Sequence, residues 1–254
     1  MINVLRSEWI KLRTVRMNWI LGIIAVAFPL IITLLTAFFN GDELDFRAQN
    51  LLEVLAGTVI VTTLLCGVIL ASSITGEFGF GTIRPTFAAV PRRMKVIVGK
   101  GIVGVVSAMV LVAIVLAIGA GLGRPLAEGQ GATIDFSEVP TAVPALVGAI
   151  ILAGLMSLAG YGLGMITRST PAAISILIVW PLIAEGLIGG LITVITGWHN
   201  VAQWMPFNAG IRIVFVNTAD DPGGPSRLIS GLYFGGFAAL LTAAGAVAVN
   251  RRDA

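Results

Sequence analysis

The sequence is 254 residues long, 57% hydrophobic and only 11% charged, with a mean hydropathy of +0.97. Soluble domains carry roughly a quarter charged residues, so this composition excludes an ordinary soluble fold and fits a polytopic membrane protein. The formal net charge is only +3, and the single cysteine, Cys66, lies inside an apolar run, which leaves no disulfide framework and no cysteine metal site.

In residues 1–16, MINVLRSEWIKLRTVR, Ile2, Leu5, Trp9 and Leu12 recur at three- and four-residue spacing. That spacing predicts a helix with one apolar stripe. Arg6, Lys11, Arg13 and Arg16 accompany it, so the segment reads as an amphipathic helix in the headgroup plane, with Trp9 as anchor and the basic residues on anionic lipid. A membrane span needs about 20 apolar residues. Six segments qualify: roughly 17–39, 51–75, 101–123, 143–166, 172–196 and 228–249. The first is too long for a secretory h-region and reads as a retained anchor.

An even number of spans puts both ends on one side. If that side is the cytoplasm, twelve of the sixteen basic residues fall inside, and Arg47, Arg124, Arg212 and Arg227 fall outside. The bias sets the orientation with both termini cytoplasmic.

Between the second and third spans, residues 76–100 form a basic, turn-rich cytoplasmic loop, GEFGFGTIRPTFAAVPRRMKVIVGK. Thr82 can cap a short helix, Pro85 suits its first turn and Pro91 closes it, which would turn Ile83 and Phe87 toward the cytoplasm. In the fifth span, Glu185 would sit mid-membrane, four residues after a helix-bending Pro181. It is either a pathway carboxyl or a structural one bonded to kinked backbone. Glu53, at the outer end of its span, reaches headgroup water. Pairs of small residues at Gly160/Gly164, Gly186/Gly190 and Gly231/Gly235 allow close helix contact. The outer segment 197–227, with Trp198, Trp204, Phe207 and Phe215, is too apolar for open water and suits a re-entrant pair of short helices broken near Pro206.

No Walker A motif occurs. Gly99-Lys100 is followed by Gly101, and Met94 stands where the first glycine belongs. Neither HExxH nor GxSxG appears, and the lone histidine, His199, beside Trp198, reads as an interfacial side chain. No catalytic residue, bound cofactor or metal site is expected in this chain, and an intramembrane enzyme built on Glu185 lacks a nucleophile and a metal set.

The succession Glu77-x-x-x-Gly81-Thr82, Pro91-Arg92-Arg93 and Gly99-Lys100 resembles the first cytoplasmic loop of type 2 ABC exporter permeases. The likeness extends over the whole chain. It implies an all-α membrane protein with an N-terminal elbow helix, six transmembrane helices, a cytoplasmic coupling helix and an outer re-entrant segment around WMPFNAG. By the same resemblance, Glu77, Gly81, Thr82, Ile83, Arg84, Phe87, Pro91, Arg92 and Arg93 would couple to an ABC ATPase subunit. Glu77 would pair with Arg84 or Arg92, and Pro85 departs from the family pattern. Two ATPase copies would carry ATP and Mg, and a second permease chain would complete the pathway as homodimer or heterodimer. The implied activity is export of an amphipathic or lipid-like solute. The competing reading is a non-transporting scaffold or sensor that binds a cytoplasmic partner through the same loop.

Overall fold

The computed structural model describes residues 2–43, 45–83, 85–86, 93–216 and 223–252. Among them the architecture is all-helical, with six helices long and apolar enough to cross a membrane. In chain order the longer helices are α1 (Ile2–Thr14), α2 (Arg16–Phe39), α3 (Ala48–Gly79), α4 (Arg93–Glu128), α5 (Ala142–Thr167), α6 (Thr170–Thr196), α7 (Pro206–Arg212) and α8 (Arg227–Arg252). The membrane-spanning candidates are α2 to α6 and α8.

Two helices run well past the apolar segments that announce them. α3 continues through Thr75 to Gly79 and α4 is already helical at Arg93, so both reach into the segment expected as a loop over 76–100. Within it, Ile83, Pro85 and Thr86 are also helical. Nothing obliges a helix to end where its apolar stretch does. α3 ends instead where Phe80 N–H reaches back to Gly76 and Gly81 takes a φ of +69°, a left-handed conformation that glycine adopts without a Cβ penalty.

α5 lies at the centre, packed on α3 and α8. A Cβ added at Gly160 would lie 2.3 Å from the Gly67 carbonyl oxygen, and one at Gly162 would meet the backbone of Leu241 and Thr242 at 2.6 Å. In lipid, where apolar side chains gain nothing by leaving solvent, such close backbone approach supplies much of the packing attraction. The Gly160/Gly164 pair is therefore a helix contact within the chain. Gly186/Gly190 is not: a Cβ at either position meets nothing within 4 Å.

Pro29 sits inside α2 and cannot donate to the carbonyl four residues earlier. That carbonyl, on Ala25, accepts the Thr62 hydroxyl of α3 at 2.7 Å. A proline defect is thus converted into an interhelical bond, as a medium without water requires. α6 accommodates Pro181 by a π-helical turn over Trp180–Ala184, one of the recognised causes of a helix kink.

Candidate functional site

α1 presents two faces. At about 100° per residue, Val4, Glu8 and Lys11 fall on one side and the stripe Ile2, Leu5, Trp9, Leu12 on the other. The first face docks onto α4, where Gly99 leaves room for Val4: a Cβ there would lie 2.8 Å from Val4 Cγ1. Arg6, Trp9, Arg13 and Arg16 are exposed. Lys11 turns the other way.

Four charges meet where α1 crosses the ends of α3 and α4. Lys11 Nζ lies 2.8 Å from Glu8 Oε1 and 2.8 Å from Glu77 Oε1. Lys100 Nζ lies 2.6 Å from Glu8 Oε2 and 3.0 Å from Glu77 Oε1, and donates to Ser73 Oγ at 3.2 Å. The result is a closed ring of two acids and two lysines with no net charge. Glu8, Lys100 and Glu77 are only 2%, 3% and 8% exposed. Charges so far from water persist because each is paired. Burial by itself would lower the Lys11 pKa, but its hydrogen bonds to Glu77 and Glu8 prevail and hold it above the ordinary lysine value.

Among the described residues, the partners of Glu77 are these two lysines. Arg84 and Arg92 lie outside the described residues, as do Phe87 and Pro91, while Lys11 and Lys100 hold the carboxylate. The ring was missed because residues 8, 77 and 100 meet only through tertiary packing. Lys100 looks like an ordinary basic flank before an apolar run.

Other contacts fasten the same end of α3. Arg168, in a left-handed cap after α5, stacks its guanidinium 4.7 Å from the Phe78 ring centroid. The Thr75 and Thr170 hydroxyls share a hydrogen bond of 2.6 Å, which links α3 to α6. Ile83, expected to face the cytoplasm, is instead buried with Leu70, Ile74, Ile97 and Val249. Its apolar side chain follows the turn at Gly81 back onto the bundle. Gly81, Thr82 and Pro85 remain exposed, and Arg93 opens α4.

At the opposite end of the bundle, the segment after α6 forms a turn at Val201–Trp204, breaks at Met205 and starts α7 at Pro206. The start of α7 explains Glu185. This fully buried carboxylate accepts the Phe207 amide at 2.9 Å through Oε1. Through Oε2 it accepts the Asn208 amide at 2.8 Å and Asn208 Nδ2 at 2.9 Å. The first amides of a helix have no partner of their own, and a carboxylate at that end meets both them and the positive end of the helix dipole. Glu185 therefore holds α7 to α6. Phe207, beside it, packs into α8 with ring centroids 5.4 Å from Phe234 and 5.7 Å from Phe237. Glu53 is exposed and accepts from Gln49 at 2.9 Å.

Residues 4–197 match the family model described as ABC-2 family transporter protein. No curated protein matches the chain.

Proposed function

Because the chain belongs to the ABC-2 transporter family, we propose that it is the permease subunit of an ATP-driven exporter in the cell membrane, with both termini cytoplasmic. Its family and its six apolar helices make it a multi-pass membrane protein of transport. The finer reading is that a separate ABC ATPase docks on the link after α3, and that two copies of it bind ATP and Mg. A second permease chain completes the pathway, and the solute is amphipathic or lipid-like.

The observation that carries this reading is the fastening of the α3 end. A link that is to transmit an ATPase movement must be rooted in the spans it moves. Here the root is tied to α1 and α4 by the charge ring, to α5 by Arg168 on Phe78, and to α6 by Thr75 on Thr170. Movement of the link would therefore reach four other helices at once. The second chain finds support in α6, whose Leu187, Leu191, Val194 and Ile195 are all exposed beside the open Gly186/Gly190 pair. Small residues at that spacing suit close helix contact in lipid.

Co-purification from the native membrane tests the assignment. A P-loop ATPase should accompany the chain, and Phe87→Glu or Arg92→Glu should abolish that association while membrane insertion is unchanged. An absent ATPase, or loop variants that still bind it, would remove the coupling role.

A further inference from the structure

The outward face of α1 is only partly covered by the rest of the chain, with Ile2 and Trp9 exposed and Leu5 and Leu12 half-buried. Ile2, Leu5, Trp9 and Leu12 overhang a groove of about 1020 Å³ floored by α2, α3 and α4. Its floor is apolar, with Ile23, Ile69, Val106 and Ile114 among the residues that line it. The α4 lining runs from Ile102 to Ile114, about 18 Å of helix. One leaflet of a bilayer has a hydrocarbon depth of roughly 15 Å, so the groove is as long as one acyl chain in one leaflet. Charge is confined to α1: Arg6 and Arg13 line the groove, and none of its lining residues is acidic. Glu8, the acid nearest them in sequence, is turned away and neutralised in the ring.

We infer that this groove holds one anionic glycerophospholipid of the adjoining leaflet, with an acyl chain along α4 and its phosphate headgroup at Arg6 and Arg13. Apolar length and cationic end match the two halves of such a molecule. A zwitterionic lipid fits the floor equally well but leaves two arginines with less charge to meet. The site lies between α1 and the faces of α2, α3 and α4. The inference rests on the lining of the groove alone and does not depend on the transport assignment.

Lipid retention tests it. The full chain is reconstituted in vesicles of equal phosphatidylglycerol and phosphatidylcholine, extracted in mild detergent, and the phospholipid that remains bound is measured by mass spectrometry. Two surface arginines predict roughly thirtyfold enrichment of phosphatidylglycerol, at about one molecule per chain. Arg6→Ala/Arg13→Ala should return the two lipids to parity. Gly22→Phe should lower retention of both lipids. Gly22 lines the groove, and a Cβ there meets nothing within 4 Å, so a side chain at this position starts into open space. Equal retention in the unaltered chain, enrichment that survives Arg6→Ala/Arg13→Ala, or total retention unchanged by Gly22→Phe would overturn the site. Neither readout involves an ATPase or transport, so failure here leaves the permease reading standing, and the reverse also holds.

Discussion

Replacement of Lys100 by methionine is the sharpest test of the charge ring. The substitution keeps an unbranched side chain of similar length but removes the ammonium that lies 2.6 Å from Glu8 and 3.0 Å from Glu77. Two buried carboxylates then share Lys11, whose side chain is 39% exposed and therefore screened, and the ring carries a net negative charge. Removal of one partner from a buried pair costs about 3–5 kcal/mol, mostly because the other charge stays behind. For a chain of this size that corresponds to roughly 10 °C in apparent melting temperature. The double variant Glu8→Gln/Lys100→Met restores neutrality and should recover at least half of the loss, which a double-mutant cycle isolates. The molecule carries its own reporter, since Cys66 is its one cysteine and is buried. A thiol-reactive dye in detergent solution would follow its exposure on heating. If Lys100→Met stays within about 1 kcal/mol of the parent, or if the double variant is no more stable than the single one, the ring does not hold α1 in place.

Three further outcomes follow from the same geometry. Glu185→Gln places an amide N–H₂ against a backbone N–H or against Asn208, and the orphaned donor should cost about 1–3 kcal/mol; Asn208→Ala should cost less, and a Gln variant as stable as the parent would refute the capping role. Gly160→Ala drives a methyl group into the Gly67 carbonyl and should destabilise by about 1–3 kcal/mol, whereas Gly186→Ala, in open space, should stay within about 0.5 kcal/mol in the isolated chain. The Lys11 pKa is raised on folding, so its contribution, no more than about 1 kcal/mol for a half-exposed pair, is fully present below the ordinary lysine value of about 10.4. It fades only as pH rises through the folded value. The stability difference between the parent and Lys11→Met should therefore be flat from neutrality to mildly alkaline pH; a difference that shrinks near pH 7–8 would contradict the pairing.

Hydropathy made the six spans legible because an apolar run of sufficient length has one stable solution in a bilayer. It did not reveal where helices end. Thr75 to Gly79 and Arg93 to Lys100 are helical outside the most apolar stretches, and local turn chemistry at Gly81 set the limit of α3. Pro206 marked the start of α7, and Glu185 stood out as an intramembrane acid, yet nothing in sequence joins residues 22 positions apart through a helix N-terminus. Pro29 was visible only as a defect; that Thr62 completes its missing bond depends on how α2 lies on α3. The same holds for Lys11, whose place on α1 fits either face of the argument until α4 is present.

That last dependence gives the charge ring a consequence in time. Glu8 leaves the ribosome long before Lys100, and at about 5–20 residues per second the interval is roughly 5–20 s. Throughout it the first helix has no neutral berth inside the bundle, so Glu8 must stay hydrated at the membrane surface. A segment made before α3 and α4 thus settles after them, and its docking reports that those two helices have arrived in register. A nascent chain stopped before residue 100 would still display Glu8, which would make it distinguishable from a finished one.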